Sequence, residues 1–291
     1  MKSNSRIIAP SKKISKHELI KGIQRLHKIG FIPKYNSDIT SSDIYFAGTL
    51  QRRVLEIETA LLEVKNPFIF CARGGYASME LLSHINPKLI KKSKKTIIGH
   101  SDITALLLGF YKKGFQGNLI HGPNICTKNW IENSVSEKLL IDCLTNKPYK
   151  INLKNHTHIL NEKSFNGHII GGNLRIICHM IGTEYEIDTN KKILFLEDVN
   201  ERPAAIYNML LHLKLAGKLK NIKALLIGNF QKSRNYLKLL EKFIKTLKIP
   251  IIYELRLGHQ NNIIPIRLGD YVHYNTLTKN LSFKNNKQTK K

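Results

Sequence analysis

Apolar residues occur in two alternating patterns along the first half of the chain: short continuous runs, and segments in which they recur every three or four positions. Short apolar runs such as RIIAP, PFIFCA and TIIG are typical of buried β-strands. Between these runs lie segments with apolar residues three or four positions apart, the spacing of an amphipathic helix, as in KHELIKGIQRLHKIG. The residues on the predicted buried face of that helix are Leu19, Ile20, Ile23 and Leu26. The succession of strands and helices predicts an α/β fold with a parallel sheet covered by helices.

The pattern weakens between about residues 140 and 165, where polar residues dominate, and then resumes. KKILFLED, ALLIGNF and IPIIYEL have the composition of buried strands, and RPAAIYNMLLHLKLAG between the first two is predicted to be a helix. We therefore predict an N-terminal α/β domain over residues 1–145, a linker or crossing over 146–165 and a C-terminal domain over 166–291. The lysine-rich residues 283–291 are predicted to form a disordered basic tail.

The composition favours a folded cytosolic protein. Of the 291 residues, 42% are hydrophobic and 23% are charged, which is ordinary for a soluble domain. No apolar stretch reaches the roughly 18 residues of a membrane span, and the N-terminal apolar run is too short for a signal peptide. We expect a cytoplasmic location without membrane binding. The wide and irregular spacing of the cysteines indicates buried free thiols rather than a metal site, and the residues concerned are Cys71, Cys126, Cys143 and Cys178.

The charge of the chain is strongly positive. Lysine and arginine together number 47 against 21 acidic residues, a formal net charge of +26, which ordinarily indicates a nucleic-acid partner. However, lysine far outnumbers arginine, the residue whose bidentate fork suits phosphates and bases, and the lysines are spread over the whole chain. We therefore expect no specific nucleic acid as a partner, although a basic nucleic-acid-binding protein stays open as an alternative.

Three chemically active side chains follow predicted strands. Ser101 comes two residues after TIIG, Glu197 lies at the end of KKILFLED, and His259 follows IPIIYEL in the loop RLGHQ. Functional groups of open α/β sheets gather beyond the carboxyl ends of the strands, so these residues are candidates for catalysis by a serine nucleophile. The alternatives are that Ser101 caps the next helix, that Glu197 caps a helix or pairs with a lysine, and that His259 is an ordinary loop residue.

The segment around Ser101 has the pattern of a sharp turn between a strand and a helix. A serine hydroxyl is too weakly acidic to attack an amide unless a base lies within hydrogen-bond reach. Such a turn displays the serine at the sheet edge and directs the first N–H groups of the helix at the reaction centre, which makes the N–H of Asp102 a candidate oxyanion donor. Ile103 stands where α/β-hydrolases have the second glycine of G-x-S-x-G, which disfavours an ordinary lipase or esterase.

Six motifs in order along the chain resemble the LD-carboxypeptidase family of serine peptidases. They are RGGYAS, IIGHSDITAL, HGPN, GHIIGGNL, LFLEDVNERP and LRLGHQ, and the resemblance extends from about residue 6 to about residue 275. It implies that Ser101 is the nucleophile, Glu197 the acid and His259 the base. It also implies that the backbone N–H groups of Asp102 and Gly75 bind the oxyanion. The implied fold is a flavodoxin-like N-terminal domain and a smaller C-terminal domain with a β-barrel-like mixed sheet.

The resemblance also implies a function. Murein tetrapeptide carboxypeptidases of this family release terminal D-alanine from cytosolic murein peptides during peptidoglycan recycling. A muropeptide substrate, a homodimer and a reaction without cofactor or metal are implied with it. We expect Arg73, Tyr76 and Asn173, which lie in the shared motifs, to contact the substrate. Relatives of the same fold that hydrolyse a different amide and give immunity to peptide-nucleotide antibiotics are the alternative.

Overall fold

The first sheet of the computed structural model has the strand order of a flavodoxin. The structure describes residues 2–132, 136–156, 158–230 and 236–285. The parallel strands of this sheet are β1 (Ser3–Ile8), β2 (Phe31–Lys34), β3 (Phe68–Cys71), β4 (Thr96–Gly99) and β5 (Asn118–His121). They lie in the order β2-β1-β3-β4-β5, and β12 (Ile266–Arg267) adds to β5 in the antiparallel direction. The prediction of a flavodoxin-like parallel sheet is therefore confirmed.

Helices connect the strands of the first sheet. They are α1 (Lys16–Lys28), α2 (Leu50–Leu62), α3 (Pro87–Lys92) and α4 (Thr104–Lys112), and after β5 come α5 (Lys128–Ile131) and α6 (Glu137–Leu144). Helix α1 begins with a capping box, in which Ser15 and Glu18 each accept a hydrogen bond from the backbone N–H of the other. It buries Leu19 and Leu26, whereas Ile20, predicted on the same face, is 45% exposed.

The second sheet is mixed and curls into a half-barrel. Its described strands are β6 (Tyr149–Asn152), β7 (Ile159–Leu160), β8 (Phe165–Asn173), β9 (Ile193–Glu197), β10 (Ala224–Gly228), β11 (Ile251–Leu255), β13 (Tyr271–Asn275) and β14 (Asn280–Lys284). Strands β8 to β11 run parallel at the centre, and antiparallel strands flank them in the order β6-β14-β13-β8-β9-β10-β11-β7. Helices α7 (Leu174–Met180), α8 (Pro203–Leu215) and α9 (Tyr236–Ile244) belong to this half. None of the helices in the described ranges has the length and apolar character needed to cross a bilayer.

Two details of the predicted domain layout need correction. Residues 146–165, predicted as a linker or crossing, contain β6 and β7, which form the opposite edges of the second sheet. Residues 283 and 284, predicted to begin the disordered tail, end β14, where the buried Phe283 stacks on Tyr149 with ring centroids 4.7 Å apart. The alternation of apolar and polar residues in β14 is too short to distinguish the end of this strand from the basic residues that follow it. The rest of the predicted tail, from residue 286, lies outside the described residues.

The two sheets approach each other at the carboxyl ends of their parallel strands. The hydroxyl of Thr104 in α4 accepts a hydrogen bond from the backbone N–H of Asn173 at the end of β8, at 3.1 Å. Gly172 permits this approach, because a Cβ there would lie 2.5 Å from Thr104 Cγ2. In the second sheet Asn173 is paired with Glu197 of β9. The contact therefore brings the segment that follows β4 close to the end of β9, where Glu197 lies.

Candidate active site

Ser101 stands in the turn between β4 and α4, within a short 3₁₀ turn (Ser101–Ile103). Its φ is +65°, a left-handed conformation that is uncommon for residues other than glycine. The N-cap positions of the 3₁₀ turn and of α4 are occupied by His100 and Ile103. The alternative that Ser101 is a helix cap is therefore wrong. The serine is half-buried and lines a cavity.

The loop after β3 lies directly against this serine. A Cβ at Gly74 would lie 2.8 Å from Ser101 Cβ and 3.2 Å from Ser101 Oγ, so a larger residue would displace the hydroxyl. The backbone of the loop thus approaches Ser101 without a side chain between them, which an oxyanion-binding loop requires. The assignment of the N–H groups of Gly75 and Asp102 as oxyanion donors stays a prediction.

The Asp102 carboxylate ties neighbouring loops to the serine turn, a role that the sequence pattern did not indicate. It is buried and accepts hydrogen bonds from Ser11 Oγ at 2.6 Å and from the Ser78 N–H at 3.0 Å. Burial raises the pKa of Asp102, and the hydrogen bonds from Ser11 and Ser78 oppose that rise. Asp102 thereby fixes the loops after β1 and β3 to the turn that carries Ser101.

Glu197, the last residue of β9, is fully buried and hydrogen-bonded to His259. The Nδ1–H of His259 donates to Glu197 Oε2 at 2.9 Å. Burial alone would raise the pKa of Glu197, but the charge interaction with His259 and the hydrogen bonds that the carboxylate accepts hold this pKa well below its usual value. Gly258 makes the close approach sterically allowed, because a Cβ there would lie 1.8 Å from Glu197 Oε2. This is the geometry with which a buried acid fixes the tautomer of a catalytic histidine.

Two further histidines surround the Glu197–His259 pair. His121 Nε2 lies 3.3 Å from Glu197 Oε1, so the carboxylate is bonded on both sides. The ring of His100 contacts the ring of His259 with centroids 4.7 Å apart. Burial, aided by the charge of His259, lowers the pKa of His100 to about 3, so this imidazole is neutral at physiological pH. Sequence reasoning missed both residues, although the apolar residues just before the HGPN motif were a signal that His121 ends a strand.

A cavity of about 1200 Å³ lies between the two halves of the chain. Among the residues that line it are Arg73, Gly75, Tyr76, Ser101, Asp102, Asn173 and His259. Glu197 is fully buried next to His259. Apart from Glu197, every site residue predicted from the sequence therefore reaches this one cavity.

The three predicted substrate contacts differ in their surroundings. Arg73 is paired with Glu18 at 2.6 Å, and its side chain is 34% exposed. Tyr76 is 67% exposed at the cavity. Asn173 donates to Asp198 Oδ1 at 3.0 Å and also caps α7, so this side chain has a structural role. Other charged residues of the cavity wall are Lys12, Glu80, Lys128, Arg175, Asp198 and Glu201.

Neither a metal site nor a reactive thiol is found in the part of the chain that the structure describes. No group of three or more His, Cys, Asp or Glu side chains among those residues is placed to hold a metal ion. All four cysteines are buried free thiols, as predicted, and none of them lines the cavity. Burial raises the pKa of Cys126 and of Cys178 to about 12.

Comparisons with known proteins find similarity over both halves of the chain. The family model for the LD-carboxypeptidase N-terminal domain matches residues 6–122, and the model for the C-terminal domain matches residues 166–273. A carboxypeptidase-like protein of Rickettsia conorii is 35% identical over 233 residues, 77% of this chain and 70% of the relative. The microcin C7 self-immunity protein MccF of Escherichia coli is 26% identical over 320 residues, 94% of this chain and 90% of the relative. The crystal structure of a muramoyltetrapeptide carboxypeptidase from Oxalobacter formigenes matches with a TM-score of 0.85 and 26% identity, covering 97% of this chain and 98% of the other.

Proposed function

The chain belongs to the LD-carboxypeptidase family, and from this premise we propose that it is a serine peptidase that releases the terminal D-alanine of murein tetrapeptides. The bond that it cleaves joins an L-configured centre of meso-diaminopimelate to D-alanine. The observation that carries the proposal is the hydrogen bond between the buried Glu197 and the half-buried His259, which lines the same cavity as Ser101. A cytoplasmic location, a homodimer and a place in peptidoglycan recycling belong to the same proposal.

In the proposed reaction His259 takes the proton of Ser101 Oγ as this oxygen attacks the carbonyl carbon of the peptide bond. Glu197 fixes the tautomer of His259 and stabilises the imidazolium that forms. The N–H groups of Asp102 and Gly75 receive the oxyanion, and a donor of this kind contributes about 3 kcal/mol in other enzymes. His259 then protonates the leaving amine of D-alanine. Water, deprotonated by the same histidine, hydrolyses the acyl-enzyme and regenerates the serine.

The backbone of Ser101 supports its role as a nucleophile. Its left-handed φ of +65° costs about 1–2 kcal/mol for a residue with a Cβ, and this conformation turns the chain sharply between β4 and α4. Strained residues concentrate at functional sites, and nucleophiles displayed on a turn between strand and helix are one instance.

The cavity suits an anionic peptide of several residues. Its volume of about 1200 Å³ exceeds the roughly 300–1,000 Å³ typical of sites for small ligands. The cationic side chains of Lys12 and Lys128 on its wall can attract the carboxylates of a muropeptide, whereas Arg175 is paired with Glu201. We propose that Arg73 and Tyr76, both accessible, contact the substrate directly, and that Asn173 does so while it caps α7.

The release of D-alanine from a murein tetrapeptide by the purified chain tests the proposal. Ser101→Ala should lower kcat at least about 10⁴-fold, because only binding and the oxyanion donors then act on the substrate. Its melting temperature should stay near that of the wild type, because Ser101 caps no helix. Ser83→Ala, at an exposed serine, is the matched control and should keep full activity. EDTA should leave the rate unchanged, whereas activity in Ser101→Ala or loss of activity in EDTA would refute the serine mechanism.

An amide hydrolase that gives immunity to a peptide-nucleotide antibiotic is the second candidate function. It is favoured by the similarity to MccF over 94% of this chain. Both candidates use the same serine, so Ser101→Ala does not separate them. The ratio of kcat/KM for a murein tetrapeptide to kcat/KM for a peptidyl nucleotide, measured side by side, decides between the two.

A further inference from the structure

The carboxylate of Glu197 is held by side chains from both halves of the chain. His259 binds Oε2 from the loop after β11, and His121 binds Oε1 from the end of β5 in the first sheet. The side chains of Glu197 and His121 are 0% and 1% exposed, so water does not compete for this contact. The contact of His121 therefore joins the sheet that leads to Ser101 with the acid that orients His259.

The ring of His121 is fixed by its neighbours. In the first sheet His121 is paired with Gly99 of β4 on one side and with Ile266 of β12 on the other. Its ring packs edge-on against Phe195 with centroids 5.2 Å apart. Because Gly99 is two residues before Ser101, His121 is held in register with the strand that carries the nucleophile.

The surroundings of the two ring nitrogens of His121 indicate which of them is the hydrogen-bond donor. Nε2 meets the Glu197 carboxylate, whereas Nδ1 is buried and has no hydrogen-bond partner among the described residues. A buried N–H without an acceptor costs about 1–3 kcal/mol, so the favoured state has no hydrogen on Nδ1. The Nε2–H of His121 then donates to Glu197 Oε1.

From this geometry we infer that His121 is a positioning residue, whose Nε2–H fixes the Glu197 carboxylate so that its other oxygen faces His259. The inference rests on the proposed serine mechanism. Without this donor Oε1 would be buried and unpaired, and the carboxylate would rotate or take up a proton. Either change weakens the hydrogen bond that orients His259.

Four titratable groups face Glu197 or the histidine bonded to it, and they determine the expected pH dependence. They are His121, His259, His100 and Asp198. Asp198 follows Glu197 directly, and burial together with the charge of Glu197 raises its pKa to about 6. The Glu197–His259 pair titrates as a unit. Loss of the His121 donor makes the carboxylate more basic, so the acidic limb of the kcat/KM profile should move to higher pH.

Two variants of His121 separate the donor from the ring. His121→Phe keeps a ring against Phe195 and removes the N–H, and it should lower kcat about 100-fold, the cost of misplacing a catalytic group by about 1 Å. KM should stay unchanged, because His121 is not among the residues that line the cavity. His121→Gln, whose amide nitrogen can occupy the position of Nε2, should restore most of the rate and the pH profile of the wild type. His168→Phe, at a histidine of β8 outside the cavity lining, is the matched control and should keep full activity.

The inference is overturned if His121→Phe has the kcat and pH profile of the wild type. It is also overturned if His121→Gln is as slow as His121→Phe, because the ring and not its N–H would then be needed. His121→Leu takes the place of the phenylalanine variant if that variant does not fold. Activity retained in Ser101→Ala refutes the proposed function itself. Activity lost in Ser101→Ala but kept in His121→Phe refutes only the role of His121.

Discussion

Gly258→Ala should break the contact between the acid and the histidine of the candidate site. Gly258 has a φ of +70°, and a Cβ at this position would lie 1.8 Å from Glu197 Oε2. Contacts of real Cβ atoms essentially never fall below 3.0 Å, so the carboxylate oxygen must retreat by about 1.2 Å. The same oxygen accepts the hydrogen bond from His259 Nδ1 at 2.9 Å. A retreat of this size stretches or bends that hydrogen bond beyond useful geometry.

The expected loss of activity follows from this displacement. A misplacement of about 1 Å in a catalytic group can cost about 10²-fold, and loss of the correct histidine tautomer about 10⁴-fold. We therefore expect kcat for D-alanine release to fall by between about 10² and 10⁴ in Gly258→Ala. The free energy of unfolding should fall as well, by about 1–2 kcal/mol because a residue with a Cβ is strained at this positive φ, and by about 1–3 kcal/mol more because of the clash with the buried carboxylate.

Gly217→Ala is the matched control for this substitution. Gly217 has a φ of +74°, and nothing lies within 4 Å of its Cβ position. Urea denaturation should therefore show the backbone cost in both variants, while the assay of D-alanine release should show a loss in Gly258→Ala alone. If the two variants retain the same activity, the Glu197–His259 contact is not what catalysis depends on and the reasoning fails.

Three further outcomes are expected. Gly172→Ala should lower the free energy of unfolding by about 1–3 kcal/mol more than Gly217→Ala, because a Cβ at Gly172 would lie 2.5 Å from Thr104 Cγ2. Equal losses for the two variants in urea denaturation would contradict this expectation. The pKa of Glu197 is held well below the usual 4.5, so its ionised form stabilises the fold above about pH 4.5, and this contribution is lost as the pH falls through the lowered pKa. The free energy of unfolding of Glu197→Gln should therefore fall less steeply in acid than that of the wild type. Parallel curves of unfolding free energy against pH would contradict this expectation. Burial raises the pKa of Cys143 to about 11 and also raises the pKa values of the other cysteines. Iodoacetamide at pH 8 should therefore leave the native protein unlabelled and active, whereas a fluorophosphonate should inactivate it. Inactivation by iodoacetamide would count against a serine nucleophile.

The parts of the fold that local patterns specify could be predicted from the sequence. Each of β4, β9 and β11 contains a short run of consecutive apolar residues, and the polar residues at or after the ends of such runs are natural candidates for a site. Ser101, Glu197 and His259 were selected by this rule, and the structure bonds Glu197 to His259 and places Ser101 at the same cavity. The rule works because parallel strands share the edge at which they end.

The parts that depend on contacts distant in sequence could not be predicted. The apolar residues before His121 indicate that it ends a strand, but they do not show that its side chain meets Glu197, 76 residues later. β12 has two residues, and nothing in its local pattern shows that it returns to the first sheet. The apolar Ile20 fits the helical spacing of α1 and is nevertheless 45% exposed, because the spacing alone does not show how wide the covered face of a helix is.

The pairing of β12 with β5 determines when the first sheet can be completed during synthesis. β5 ends at His121, and the segment that covers its edge begins at Ile266, about 145 residues later. A ribosome that adds about 5–20 residues per second needs on the order of ten seconds for that stretch. Until then the N–H and C=O groups along this edge of β5 are open to any other nascent strand, and open strand edges are where chains aggregate. The risk of aggregation at this edge is therefore greatest during translation, and slower translation of the second half would prolong it.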